Sequence, residues 1–133
     1  MGLKIFISYR RDGGDVTAKL ISEALKTRGF SVFYDYDSLK GGAFDVGIST
    51  AIDQCDAFVL VLPKNALKRC RGKGDILRYE IRCALEKGKN IVPVMLDRFE
   101  FPKRLPKDIS EVCRYNAVRF HMDLFESSID GIV

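Results

Sequence analysis

Three features of this chain combine residue types that could do chemistry: a carboxylate at Glu80, two glycine pairs beside cations, and Cys70 among Lys68, Arg69 and Arg71. Glu80 lies in "ILRYEIRCALEKGKN" (Ile76 to Asn90), where Leu77, Ile81, Ala84 and Leu85 recur at helical spacing and mark a buried stripe. A surface glutamate on a helix ordinarily has a basic neighbour three or four positions away, as Glu86 has Arg82. Around Glu80 those positions hold Ile76, Leu77, Cys83 and Ala84. It is not a capping-box carboxylate either, because Asp75 is the expected N-cap and the third residue after it is Arg78. Glu80 is therefore expected on the shoulder of the stripe, with its partner off its own helix. The glycine pairs are Gly13 with Gly14, after Arg10 and Arg11, and Gly41 with Gly42, after Lys40. Backbone amides and cations so placed suit phosphates, although paired glycines also serve turns for conformational reasons alone. Neither loop is a Walker A sequence, and there is no GxGxxG. The cations around Cys70 favour its thiolate and make it a candidate reactive thiol. The plainer reading of "KNALKRCRGK" (Lys64 to Lys73) is a solvated helix end and loop.

The 133 residues suffice for one core and are too few for two ordinary domains. A 47% hydrophobic content argues against disorder, and 30% charged residues supply a polar surface, so a folded cytoplasmic protein is expected. No apolar run approaches the ~18 residues of a membrane span. "MGLKIF" lacks the apolar stretch of a secretory signal and has Phe6 where a myristoylation site needs serine or threonine. The net charge of +4 is spread along the chain, which speaks against nucleic acid and leaves anionic small ligands open. Cys55, Cys70, Cys83 and Cys113 form no CxxC and have only His121 to help them, so no metal site is expected. They read as reduced thiols, with Cys55 and Cys83 in or beside the core.

The elements that must position these residues alternate. "KIFIS" (Lys4 to Ser8) reads as a strand and "YRRDGGD" as a polar turn. A helix follows, capped by Asp15, burying Val16, Leu20, Ala24 and Leu25 and ending at Gly29. "SVFYD" (Ser31 to Asp35) is a second strand, "YDSLKGGAF" a loop, and Phe44, Ile48, Ile52 and Cys55 repeat helically. "AFVLVL" (Ala57 to Leu62) is apolar without alternation, as in a strand buried on both faces. After the helix carrying Glu80 come "NIVPVML" (Asn90 to Leu96), where Pro93 implies an edge, bulge or break, a proline-containing loop, and "NAVRF" (Asn116 to Phe120). "DLFESSIDGIV" begins a helix that Val133 interrupts. The order predicts an α/β fold, a flavodoxin-like three-layer sandwich with a five-stranded parallel sheet flanked by helices. Ligands of such sheets bind outside the carboxyl ends of the strands.

"FISYRR", "GFSVFYDYDSLKGGAF", "AFVLVLPKNAL" and "LRYEIRCALEKGKNIVPV", in this order, resemble the TIR (Toll/interleukin-1 receptor) domain family, and in particular its NAD-cleaving branch. The likeness covers nearly the whole chain, which reads as a single TIR domain, 1–133, excised from a longer protein. It implies an NAD+ glycohydrolase that needs no cofactor, releases nicotinamide to give ADP-ribose or cyclic ADP-ribose, and acts in innate immune or cell-death signalling when self-association switches it on. In that branch the catalytic glutamate falls on Glu80. Tyr9, Arg10 and Arg11 would line the nucleotide site, and Lys40 and Gly41 would belong to the BB loop (Tyr36 to Phe44), through which copies of the domain, or other TIR domains, would meet. Several active relatives carry a tryptophan where this chain has Ile76, and there is no tryptophan anywhere. Stacking on a base would fall to Tyr9, Phe33, Tyr34 or Tyr36, each of which also reads as strand packing or loop surface. The alternative is a TIR adaptor that assembles with other TIR domains and does no chemistry. A deoxyribosyltransferase on a similar sheet is a third reading, and a phospho-receiver is set aside because its acceptor aspartate is missing from "VLVLP".

Overall fold

Alternate residues of a strand face opposite sides of a sheet, and in this chain both sides are apolar. The structure is a computed structural model describing residues 3–9, 11–33, 50–64, 66–67, 76–96, 99–103, 105–115, 117–120 and 132, without the side chains of 11–13 and 76. The strands β1 (Lys4–Tyr9), β2 (Ser31–Phe33), β3 (Ala57–Leu62), β4 (Asn90–Met95) and β5 (Val118–Arg119) are all parallel and stand in the order β2-β1-β3-β4-β5. This is the expected flavodoxin-like sheet, and its strand order reverses beside β1. Ile5, Ile7, Val59, Val61 and Val94 face α1 (Arg11–Thr27) and its buried Ala18, Ile21 and Leu25. Phe6, Phe58, Leu60, Leu62 and Ile91 face the other way, onto Ile52 of the helical residues 50–54 and onto Leu77, Ile81 and Ala84 of α2 (Ile76–Glu86). Phe33, Phe6 and Phe58 occupy one register row of β2, β1 and β3 and stack ring on ring, with centroids 5.3 and 5.5 Å apart.

Both helices end as expected, on glycines at positive φ: Gly29 at 95° and Gly88 at 65°. After α1 the amide of Phe30 donates to the Leu25 carbonyl and that of Gly29 to Lys26; after α2, Lys89 and Gly88 do the same to Ala84 and Leu85. These paired bonds are Schellman caps. The start of α1 differs from expectation. It begins at Arg11, so Gly13, Gly14 and Asp15 are helical, and Asp15 does not cap it. Gly14 is buried, and a Cβ added there would lie 3.4 Å from the Pro63 ring. The buried stripe is accordingly Gly14, Ala18, Ile21, Ser22 and Leu25, while Val16 and Leu20 are exposed. The apolar arc of this helix is wide enough to have been read on either row, and the row with the smaller residues is the one that packs closely.

Pro93 lies in unbroken register opposite Leu60. The Met95 carbonyl accepts from Phe120 beyond β5 and the Leu96 amide donates to Leu62 of β3, so alternation turns position 93 toward the β5 side. Pairing with β5 begins only at Val94, which makes the missing donor cheap, as at an edge. A short 3-10 helix, Ser110–Arg114, was not anticipated in the loop before β5. Asp108, just ahead of it, receives the Arg78 guanidinium of α2 at 3.1 to 3.2 Å in a part-buried fork. At the other end of α2, the Lys89 ammonium donates to the carbonyls of Asp53 and Cys55 at 2.8 and 3.0 Å. α2 is thus fastened at both ends above the sheet.

Cys55 and Cys83 are buried as expected, and burial pushes both thiols up from their ordinary range. Cys113 is exposed; Cys70 lies outside the described residues. Iodoacetamide at neutral pH should alkylate Cys113 readily while Cys55 and Cys83 react only after unfolding, a pattern that peptide mass mapping reads directly. Phe58→Ala, which empties the middle of the sheet and breaks the aromatic row, should lower stability by about 3–5 kcal/mol in urea unfolding followed by circular dichroism.

Candidate functional site at the carboxyl edge of the sheet

Ser8 is the one polar residue within the buried run of β1, Ile5 to Ser8. It shares a face with Phe6, so its hydroxyl points into the layer between the sheet and α2. Glu80 comes down to meet it from the middle of α2. The Ser8 hydroxyl donates to Glu80 Oε1 at 2.6 Å, and both residues are wholly inaccessible to solvent. Such a length marks a close hydroxyl–carboxyl hydrogen bond. The off-helix partner expected for Glu80 is therefore a strand residue 72 positions away. Glu80 sits inside the buried stripe with Leu77, Ile81 and Ala84 and not on its shoulder, because the helix rests closely enough on β1 for that row to face the sheet.

The location is the carboxyl end of β1, next to the reversal of strand order. Tyr9 ends β1 there, half-buried, packed against both apolar clusters and paired in register with Val61. α1 begins two residues on, at Arg11, so its amino end and its partial positive charge stand at the same edge. Ile76 is the first residue of α2, about one turn before Glu80. The side chains of Arg11 and Ile76 are not described, and Arg10, Lys40, Gly41 and the segment from Tyr36 to Phe44 lie outside the described residues. So do Tyr34 and His121. The structure thus joins Glu80 to β1 at Ser8, next to Tyr9, with Arg11 opening α1 two residues on and Ile76 opening α2 ahead of Glu80. Phe33, a stacking candidate, is instead committed to the aromatic row with Phe6. Ser8 was missed as a site residue; the available signal was a lone hydroxyl among apolar neighbours in "KIFISY".

A cavity of about 200 Å³ opens at the opposite, amino edge of β1 and β2, lined by Lys4, Phe6, Ser31, Phe33, Gln54 and Cys55 among others. It is mainly apolar and distinct from the Glu80 region. Among the described residues no group of three or more histidine, cysteine or acidic side chains could hold a metal ion, and no described helix is long and apolar enough to cross a membrane.

Known proteins resemble this chain in sequence and in fold. A family model described as TIR domain matches residues 5–132. The chain is 40% identical to the NAD(+) hydrolase sarm1 of Drosophila melanogaster, 39% to the NAD(+) hydrolase SARM1 of Danio rerio and 36% to the NAD(+) hydrolase tir-1 of Caenorhabditis elegans. Each match covers 98 or 99% of this chain but only 10, 19 and 14% of those proteins. In structure it is similar to the TIR domains of the activated Roq1 resistosome, with a TM-score of 0.64 at 21% identity, covering 98% of this chain and 97% of that one. A prokaryotic SEFIR domain superposes with a TM-score of 0.68 at 17% identity, covering 98% and 96%. These two likenesses show the fold, and the family model together with the relatives shows the lineage: this chain belongs to the TIR domain family.

Proposed function

We propose that the chain is an NAD+ glycohydrolase in which Glu80 is the catalytic residue. The observation that carries the reading is a buried carboxylate delivered by α2 to the carboxyl end of β1, where sheets of this topology bind ligands. Three relatives named as NAD(+) hydrolases, at 36 to 40% identity, support it. In NAD+ the nicotinamide nitrogen is already a pyridinium. When the bond from C1′ of the ribose to that nitrogen breaks, its electron pair neutralises the ring, and nicotinamide leaves without a general acid. The positive charge passes to an oxocarbenium-like ribose. A single carboxylate can then suffice: Glu80 hydrogen-bonds the ribose hydroxyls and stabilises the developing cation, both more strongly in a dry site than in water. Water adding to C1′ and losing a proton gives ADP-ribose; an adenine nitrogen adding there gives the cyclic product. Tyr9, Arg10, Arg11 and Ile76 border the nucleotide in this reading, with the arginines at the diphosphate and Lys40 and Gly41 in the loop that closes the site or meets a second copy.

Glu80 is sealed in the single chain, so substrate reaches it only if packing above it changes. Self-association through the BB loop is the proposed trigger, and innate immune or cell-death signalling the proposed setting; the Roq1 resistosome neighbour, itself an assembly containing TIR domains, agrees with this. The same burial, with Ile76 in place of a stacking tryptophan, favours the second reading, an adaptor that assembles without chemistry.

Clustered on beads, the wild type should release nicotinamide from NAD+, and Glu80→Ala should lose at least about a hundredfold of that rate, by chromatography of the products. Glu80→Gln keeps the volume and an acceptor for Ser8; it should be equally inactive yet unfold within about 1 kcal/mol of wild type in urea. Partner-dependent assembly without NAD+ loss would identify the adaptor.

A further inference from the structure

We infer that Ser8 is a positioning residue that orients the Glu80 carboxylate for reaction, through the hydrogen bond from its hydroxyl to Oε1. The inference rests on the glycohydrolase reading and adds to it a residue that does not touch the substrate. A hydroxyl in the fully buried face of a central strand is costly unless bonded, and an apolar side chain at position 8 would continue the layer made by Phe6, Leu60 and Leu62. The bond therefore answers a specific need. Glutamate has three side-chain torsions, the last of them soft, and the helical neighbours of Glu80 one turn either way offer it no cation. β1 is paired on both sides, with β2 and β3, so its carboxyl end is a rigid support from which to fix that last torsion. Hydrogen-bonding a sugar and facing C1′ at once demands placement to a fraction of an ångström, and a misplacement of about 1 Å can cost on the order of a hundredfold in rate.

Three variants of the whole chain, clustered as above and assayed over a range of NAD+ concentrations, test this. Ser8→Ala removes the hydroxyl, Ser8→Cys keeps nearly the same shape with a weak donor, and Ser8→Thr keeps the hydroxyl with an added methyl. Ser8→Ala and Ser8→Cys should lose about tenfold to a hundredfold in kcat with KM within about threefold of wild type, whereas Ser8→Thr should stay within about fivefold in kcat. Thermal unfolding confirms that each variant is folded, and Ser8→Cys carries the test if Ser8→Ala is not. Wild-type kcat in a folded Ser8→Cys or Ser8→Ala protein would overturn the role of Ser8, as would a loss in Ser8→Thr equal to that in Ser8→Cys. If clustered wild type itself releases no nicotinamide, the glycohydrolase reading fails and this role falls with it.

Discussion

A carboxylate sealed between a helix and a sheet is the constraint on which this domain turns. Taking an ion out of water costs several kcal/mol even after the protein relaxes, and a hydrogen bond to a charged group returns about 1.5–3 kcal/mol. The bond from Ser8 offsets part of the cost of burying Glu80, and the packing that holds α2 in place sustains that burial. Leu77, Ile81 and Ala84 seat the helix on Phe6, Phe58 and Leu60, the Arg78–Asp108 fork fixes its first half, and Lys89 ties its exit to residues 53 and 55. A leucine at position 80 would extend the stripe and remove the desolvation cost. Its place is taken by an acid, a cost in stability that the proposed catalytic role would account for.

Much of the frame was legible in residue order. β3 is found at the predicted Ala57–Leu62 because an unbroken apolar run bounded by a proline has few other uses, and both helix stops fall on the glycines that can adopt positive φ. The start of α1 was not legible. A Gly-Gly pair beside arginines has the composition of a turn, whereas Gly14 is buried in the helix, where a Cβ would meet the Pro63 ring at 3.4 Å. The same tertiary choice selected Ala18 and Ile21 over Val16 and Leu20 as the buried row. The 3-10 helix before β5 has no periodicity of its own to announce it and owes its position to Ile109 and Val112 in the core beneath α2.

For the site, what sequence revealed about Glu80 was an absence, the missing helical mate; where the side chain went instead required the fold. The partner could not be named in advance because a serine in "KIFISY" alternates inward with Phe6 only once the strand is central and α2 lies over it. Family membership and the burial of Glu80 speak at different levels. The relatives share this domain as 10 to 19% of a much longer protein, so the domain is what they have in common with this chain. Ile76, at the first turn of α2, stands where the resemblance expects the tryptophan of several active relatives, and it would bear on how a base is held, while the bond-breaking chemistry proposed for Glu80 needs no aromatic ring.

The central claim is that the Glu80 side chain meets the nicotinamide ribose. The most direct measurement is a structure of the clustered Glu80→Gln protein, which should leave NAD+ intact, with the dinucleotide bound. The account predicts the ribose next to nicotinamide within hydrogen-bonding distance of the residue-80 amide, above the end of β1. NAD+ bound with that ribose remote from α2, or seated in the cavity at the amino edge of β1 and β2, would contradict it.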